Sequence, residues 1–180
     1  MNGDEIKKIE NTFRASDSHD ELFDAFQNAL KINLSDIGVY KILIANPALS
    51  PDEIKMFTEK LIKEYSSHAF DLLMWSGKIF ENKPELYNQP EEALKYYSRA
   101  WNDKPTSSTP LLKILNLYNY DIQLSSNKTI IDLVENSVAA VDDKSRVYYA
   151  LSDHYRKTGD KMREIRYFAL AEKASERENL

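Results

Sequence analysis

The sequence predicts an all-α fold, and three features of its composition and pattern support this prediction. The 180 residues include only 4 Gly and 6 Pro, fewer than turn-rich β proteins contain. Apolar residues recur at intervals of three and four, which is the periodicity of amphipathic helices. Clean alternation at every second residue, which would indicate strands, does not occur. A chain of this length closes one hydrophobic core, so residues 1–180 are expected to form a single domain.

Helix starts are marked by residues that cap free backbone N–H groups. Ser18 with Glu21, and Ser50 with Glu53, match the capping box, in which each side chain bonds to the other residue's backbone N–H. Proline stands just inside three of the predicted starts, at Pro51, Pro90 and Pro110. With the apolar periodicity, these signals predict ten helices, near residues 4–15, 19–32, 36–45, 51–65, 68–81, 90–102, 110–120, 128–141, 144–157 and 160–177.

Both ends of the chain are expected to serve as caps. The first helix has a thin apolar stripe of Ile6, Ile9 and Phe13, so residues 1–17 are predicted to form a loosely docked amino-terminal cap. The chain ends in the polar sequence EKASEREN, and residues 160–180 are predicted to form a carboxy-terminal capping helix. Stacked helical repeats need such polar outer faces at their ends.

Four of the predicted helices share a faint repeat. Twelve-residue segments that begin at Pro51, Pro90, Asn127 and Lys161 align with one another. The successive starts are 39, 37 and 34 residues apart. A shared small or apolar position late in each segment is occupied by Leu61, Ala100, Ser137 and Ala171. Periods in this range are typical of two-helix units that each bury a face against the next unit. We therefore expect stacked antiparallel helical hairpins, about five in number.

The end of the chain resembles a tetratricopeptide repeat. One helix carries a large residue, a leucine and then an aromatic residue, a Gly-Asp turn follows, and the next helix carries an aromatic and a small residue. These positions are Tyr148, Leu151, Tyr155, Gly159, Asp160, Phe168 and Ala171. Gly159 is expected to adopt the left-handed backbone conformation that lets the chain reverse. Glu164 departs from the small residue that the family prefers early in the second helix.

The middle of the chain is similar to the Sel-like relatives of that family, whose turn is longer. Residues 76–101 place glycine, aromatic and alanine residues in the Sel-like register, namely Gly77, Phe80, Ala93, Tyr96, Tyr97 and Ala100. Lys83 and Glu85 stand where those relatives have loop glycines. The resemblance covers about residues 70–105 and 145–175, and it implies a right-handed superhelix of about five stacked antiparallel helical hairpins.

The resemblance also implies where a partner would bind. In this superfamily the first helix of each repeat lines a concave inner face. The corresponding residues are Asp71, Met74, Trp75, Lys78 and Glu81 in the middle repeat, and Arg146, Tyr149, Asp153 and Arg156 in the last. Of these, the residues expected to bind a peptide or protein client are Met74, Trp75, Lys78, Tyr149, Asp153 and Arg156. For Trp75 a second interpretation stays open, in which it packs against an adjoining repeat.

Residues that carry enzyme chemistry are sparse in this sequence. The chain has no Cys, and its three His residues are too far apart in sequence to meet on one helix face, so no metal site is predicted. Glycine-rich phosphate-binding motifs and the Gly-x-Ser-x-Gly nucleophile motif are absent, so neither a cofactor nor a catalytic residue is predicted. Most aromatic residues, including Tyr148, Tyr155 and Phe168, follow the repeat pattern and are expected in the core.

Charge and hydropathy bear on location and partners. The amino terminus is charged, and the longest apolar run, residues 69–75, is interrupted by Asp71, so neither a signal peptide nor a membrane span is predicted. We therefore expect a cytoplasmic protein. Acidic side chains outnumber basic ones by 29 to 24, and this net charge of −5 argues against binding to duplex nucleic acid.

These observations favour a non-enzymatic interaction module that acts as an adaptor, an assembly factor or a chaperone of a dedicated client. Two alternatives stay open. One is a helical enzyme subunit whose carboxylates and tyrosines assemble only in the folded chain; the other is a single-stranded nucleic-acid binder that uses the basic segment 156–166. The Lys/Asn/Arg clamp for heat-shock chaperone tails is disfavoured, because Tyr149 and Asp153 stand at its positions. Self-association also stays open.

Overall fold

The computed structural model describes residues 3–82 and 89–179, and every regular element within those ranges is a helix. The prediction of an all-α fold is therefore confirmed. The α-helices are α1 (Gly3–Ala15), α2 (His19–Lys31), α3 (Ile37–Ile44), α4 (Pro51–Glu64), α5 (Ala69–Glu81), α6 (Gln89–Asp103), α7 (Ser108–Asn116), α8 (Ser125–Ser137), α9 (Lys144–Thr158) and α10 (Lys161–Glu178). Lys83 and Glu85, which replace the loop glycines of Sel-like repeats, lie outside the described residues.

Contacts between residues divide the chain into unit 1 (Met1–Ile79) and unit 2 (Phe80–Leu180), with the division inside α5. In unit 1, α1 packs against α2 and α3, and α3 packs against α4. In unit 2, α7 packs against α6, α8 and α9, and α9 packs extensively against α10.

The helix ends lie within about four residues of the predicted ones. One of the largest differences concerns the helix predicted over residues 110–120, because α7 ends at Asn116. The side-chain oxygen of Asn119 accepts hydrogen bonds from the backbone N–H groups of Asp121 and Ile122, both at 2.9 Å. Asparagine forms such local turns readily, and the turn ends the helix in spite of the apolar pattern.

The two predicted capping boxes differ in the structure. At the start of α4 the box is complete, because Ser50 Oγ accepts from the Glu53 N–H at 3.3 Å and Glu53 accepts from the Ser50 N–H at 2.8 Å. At the start of α2 only half forms. Ser18 Oγ accepts from the Glu21 N–H at 3.4 Å, but the Glu21 carboxylate accepts from the hydroxyl of Ser16 at 2.7 Å instead of from Ser18.

Unit 1 is built around aromatic side chains. The ring of Phe26 meets that of Phe57 edge to face at 4.7 Å between centroids and that of Tyr40 at 6.1 Å. Tyr40 is fully buried, and its hydroxyl lies 3.1 Å from the hydroxyl of Tyr65. The Tyr65 hydroxyl donates to the carbonyl of Leu34 at 2.9 Å, so Tyr40 is the donor to Tyr65. Burial and this bond raise the pKa of Tyr40 above its ordinary value.

The thin apolar stripe of α1 is enough to dock this helix on unit 1. Ile9 is 3% exposed and Phe13 is completely buried. The side chain of Asn46, itself buried, donates to the carbonyls of Phe13 and Ser16 at 2.9 and 3.0 Å. These bonds satisfy carbonyl groups at the end of α1 that have no partner within the helix.

The turn between α9 and α10 has the geometry that the sequence predicts. Gly159 has a φ of +80°, in the left-handed region. A Cβ atom at this position would meet no atom within 4 Å, so the backbone angle and not the available space requires glycine. Asp160 then caps α10, because its side chain accepts from the Arg163 N–H at 3.0 Å.

The aligned repeat positions are buried in both units. Leu61, Ala100 and Ala171 are completely buried, and Ser137 is 4% exposed. The departure at Glu164 is accommodated at a half-exposed position, where its carboxylate pairs with Lys161 at 2.9 Å.

Replacing Ala171 with Asp is expected to destabilise the fold strongly. The new carboxylate would lose its hydration and overfill a buried site, which lowers the free energy of unfolding by roughly 3 kcal/mol or more. Ala169→Asp is the matched control, because Ala169 lies on the same helix and is exposed. Thermal denaturation followed by circular dichroism should show a large fall in Tm for the first variant only. Equal Tm values would contradict the burial of position 171.

Candidate functional site

The six residues predicted to bind a partner fall into two groups of three. Met74, Trp75 and Lys78 lie on the part of α5 that belongs to unit 1. The second group, Tyr149, Asp153 and Arg156, lies on α9 in unit 2. The two groups are therefore described separately.

Trp75 is half-buried and is held in place by a neighbouring helix. Its indole Nε1–H donates to the backbone carbonyl of Lys41 on α3 at 2.9 Å. The ammonium groups of Lys78 and Lys41 lie 5.4 and 6.0 Å from the centroid of its ring, within range of a cation–π interaction. Met74 is half-buried and Lys78 is exposed. Packing of Trp75 against a neighbouring helix, which the sequence left open, is thus observed within unit 1.

The indole ring of Trp75 also lines a groove in unit 1 with a volume of about 470 Å³. We call this feature the Trp75 groove. Its lining includes Phe13, Arg14, Lys41, Ile42, Pro47 and Trp75. The lining combines apolar side chains with two cations and contains no carboxylate among the described residues.

A larger groove, of about 740 Å³, lies between α1 and α2 and contains none of the predicted residues. Four carboxylates line it, those of Asp4, Glu5, Glu21 and Asp24. Glu5 accepts from the side-chain amide of Asn28 at 3.2 Å, and Glu21 accepts from Ser16 at 2.7 Å. We assign no ligand to this groove.

The predicted residues on α9 lie beside an exposed apolar row on α10. The ring of Tyr149 meets that of Phe168 edge to face at 6.0 Å, and its hydroxyl donates to Glu172. Because α9 and α10 run antiparallel, residues 149, 153 and 156 run alongside residues 168, 165 and 162. We call this surface the hairpin face; its members are Tyr149, Asp153, Arg156, Met162, Ile165 and Phe168.

The hairpin face exposes large apolar side chains. Met162 is 81% exposed, Ile165 58%, Phe168 52% and Tyr149 38%. The expectation that Phe168 lies in the core is therefore wrong. Its neighbour Tyr167 is buried instead, so Tyr167 lies in the core and Phe168 on the surface. Sequence analysis missed Met162 and Ile165, although their spacing of three residues marks a second apolar row on α10.

Ion pairs neutralise most of the basic segment 156–166. Four of its five basic side chains bind carboxylates of residues 153–164. These pairs join Arg156 and Lys157 to Asp153, Lys161 to Glu164, and Arg163 to Asp160. The hydrogen bond from Lys157, at 2.7 Å, is the main cause that lowers the pKa of Asp153.

One carboxylate on α8 bonds to both helices that carry the hairpin face. Glu135 on α8 accepts hydrogen bonds from the hydroxyls of Tyr155 on α9, at 2.6 Å, and Tyr167 on α10, at 2.7 Å. Burial, reinforced by these bonds, raises the pKa of both tyrosines. Arg163 adds a bond to the Tyr155 hydroxyl at 3.0 Å and lies 4.4 Å from the centroid of its ring. Sequence analysis did not identify Glu135, because nothing in its spacing links it to the two tyrosines.

His154 is a packing residue of unit 2. It is 3% exposed, and its Nδ1 lies 3.0 Å from the hydroxyl of Tyr120. The ring of Tyr118 meets it edge to face at 4.5 Å. Burial is the largest cause that lowers the pKa of His154 below its ordinary value of 6.5, although the carboxylate of Glu135 opposes the shift.

Three further residues of the predicted inner face have local partners or stay exposed. Glu81 accepts from the hydroxyl of Tyr97 at 2.5 Å and from Lys113 at 3.1 Å, so its carboxylate joins elements within unit 2. Arg146 pairs with Asp143 at 3.3 Å on the first turn of α9, while Asp71 is exposed on α5.

No group of three His, Cys, Asp or Glu side chains among residues 3–82 and 89–179 is placed to hold a metal ion. Over the same ranges, each helix is too short or too polar to cross a bilayer. Comparison with models of protein families, with curated proteins and with solved structures finds no match to this chain.

The stability of the fold should fall as the pH drops below about 6.5, with His154 contributing. The unfolded chain takes up a proton there, whereas the folded chain resists protonation because the pKa of buried His154 is lowered. Above this range His154 is neutral in both states and its contribution is complete. Tm values at pH 7.5 and 5.5 should differ less for His154→Gln, which keeps a hydrogen-bonding side chain, than for the original protein. Identical differences would argue against this role.

Glu135→Gln should weaken the junction of α8, α9 and α10. The amide oxygen still accepts from the tyrosines, but a charged acceptor makes the stronger bond, so we expect a loss of roughly 1 kcal/mol. Urea denaturation would measure this loss. Glu176→Gln is the control, because Glu176 is exposed on α10. An equal loss in both variants would contradict the proposed junction.

Proposed function

We propose that this chain is an interaction module of the tetratricopeptide and Sel-like superfamily, and that its hairpin face binds an amphipathic helix of a client protein. The observation that carries the proposal is the exposed apolar row of Met162, Ile165 and Phe168 beside Tyr149. Contiguous exposed apolar side chains on a water-soluble surface typically mark places where another protein docks.

Two features of the helix packing support membership of the superfamily. If the helices pair in chain order, α1 and α3 are the first helices of successive hairpins, and so are α7 and α9. Both pairs are in contact, each within its own unit. Stacked hairpins require such contacts, because each unit must bury a face that its neighbour provides. The buried alanines at positions 100 and 171 allow the close approach that this packing needs.

The geometry of the hairpin face suits a helical partner. Its apolar side chains follow α10 at a spacing of three residues, and Phe168 contacts Tyr149 on α9. A helix with apolar side chains at positions i, i+3, i+4 and i+7 presents a matching ridge. Since Asp153 neutralises its cationic neighbours, apolar burial rather than charge would provide most of the affinity.

The same contacts weigh against the two alternatives. A single-stranded nucleic-acid binder needs free cations along the basic segment, but only Arg166 of its five basic side chains lacks a carboxylate partner within the described chain. An enzyme needs titratable groups that face a substrate. Here Glu135, Tyr155 and Tyr167 are bonded to one another instead. Roles as an adaptor, an assembly factor or a chaperone, with a cytoplasmic location, belong to this proposal.

Site-specific photo-crosslinking in the cells that produce the chain would identify the client. A photoreactive phenylalanine analogue at position 165 should crosslink to one protein, and the same analogue at position 56 should not. Met56 is the matched control, because it is an exposed apolar side chain on α4, in unit 1. A crosslink between two copies of the chain would instead assign the hairpin face to self-association and overturn the proposal.

The identified client should then bind the purified chain through the same residues. Phe168→Ala is expected to raise the Kd by about tenfold or more, because exposed aromatic anchors carry much of the energy of an interface. Met56→Ala should leave the Kd unchanged, and both variants should keep the original Tm. Isothermal titration calorimetry gives the Kd values. Equal affinity of the Phe168 variant and the original chain would refute the hairpin face as the binding site.

A further inference from the structure

We infer that the Trp75 groove binds a short acidic peptide segment through one bulky apolar side chain. This site consists only of residues of unit 1 and is separate from the hairpin face. The inference rests on the apolar floor of the groove, on the sign of the charges around it, and on the bonds that keep it open.

The floor of the groove is apolar and accessible. Phe13 forms its buried base, Ile42 and Trp75 are half-buried, and Pro47 is exposed at its edge. Proline has no backbone N–H, so this edge does not need a hydrogen-bond acceptor from a ligand. The volume of about 470 Å³ lies within the range of ligand pockets. An apolar side chain that enters the groove therefore replaces water against carbon atoms.

The two charged side chains that line the groove are both cationic. Arg14 and Lys41 are the only charged side chains among its described lining residues, and the Lys78 ammonium lies 5.4 Å from the centroid of the Trp75 ring. Lys41 forms no ion pair with any described residue. Arg14 pairs with Glu10 at 2.8 Å along α1, but its side chain remains 61% exposed. In a chain whose net charge is −5, this local excess of cations favours a ligand that carries carboxylates.

Fixed contacts hold the groove open before a ligand arrives. The indole of Trp75 is tied to the Lys41 carbonyl at 2.9 Å. The side chain of Asn46 donates to the Phe13 carbonyl at 2.9 Å and accepts from the Ala48 N–H at 2.8 Å, so it joins two sides of the groove. A preformed site loses little entropy when it binds, which favours even a short peptide.

A peptide fits the lining better than a nucleic acid does. Single-stranded nucleic acids are held by successive aromatic rings on which bases stack. The Trp75 groove offers one half-buried indole with an alkyl side chain and a proline around it. An apolar residue flanked by Asp or Glu places hydrocarbon on the floor and carboxylates near Arg14 and Lys41.

An octapeptide with one internal Leu flanked on each side by two Asp residues tests this inference on the full chain. Nuclear magnetic resonance should show a shift of the Trp75 indole N–H signal, which a Trp75→Phe variant assigns, and no shift of the Trp101 signal. Replacing the peptide's Leu by Ala, or its Asp residues by Asn, should weaken the Kd by about threefold or more.

Charge variants of the protein complete the test. Lys41→Glu and Arg14→Gln should weaken the Kd for the acidic octapeptide by about threefold or more. Lys31→Glu should not, because Lys31 is exposed at the end of α2 and does not line the groove. Equal binding of a Lys-flanked peptide, unchanged affinity in the Lys41 variant, or displacement of the peptide by oligothymidylate would each overturn the inference. Raising the NaCl concentration should lower the affinity, since exposed ion pairs are screened.

Discussion

Each helix of this chain is short, and helices of this length are barely stable in water on their own. The shortest, α3, has 8 residues and the longest, α10, has 18. Their stability depends on burying an apolar face against a neighbour, and α3 shows this dependence most clearly. Five of its residues are buried, and Tyr40 at its centre contacts aromatic rings from α1 and α2. The other features of both units follow from this need for neighbours.

Helices that pack so closely also bury polar groups, and several of these groups have partners on a neighbouring element. In unit 1 the hydroxyls of Thr58 and Ser76 lie 2.8 Å apart in the interior, which joins α4 to α5. In unit 2 Asn127 accepts from the backbone N–H of Asn119 at 3.1 Å and donates to its carbonyl at 2.8 Å. Such bonds add modest stability, but leaving the same groups unpaired would be costly. They therefore select one arrangement of helices among several that apolar burial alone would permit.

The number, order and approximate ends of the helices could be predicted from the sequence, because the signals for them are local. The serine cap of α4 and the turn at Gly159 depend on a few adjacent residues, and both are observed. Partners distant in sequence could not be predicted in this way. Sequence periodicity predicts that α10 has an apolar face, but it cannot show which of two rows the neighbouring helix covers. Phe168 was assigned to the wrong row for this reason.

The same distinction between local signals and partners distant in sequence applies to the candidate sites. Sequence analysis predicts that Trp75 and Tyr149 contact a partner, and both are partly accessible. Further residues of each site lie on other helices. Lys41 and Phe13 reach the Trp75 groove from α3 and α1, and Ile165 joins Tyr149 from α10. A resemblance based on one helix of each repeat includes none of these residues.

The shared carboxylate of Glu135 has a consequence for how a partner would be selected. Because it accepts hydrogen bonds from Tyr155 and Tyr167, it ties α9 and α10 to α8 in the chain alone. The entropic cost of binding then falls mainly on the incoming segment. A segment that is already helical in solution would bind more tightly than a segment that makes the same contacts but must first fold. Discrimination between clients at this surface would thus depend on their conformational order in solution as well as on their side chains.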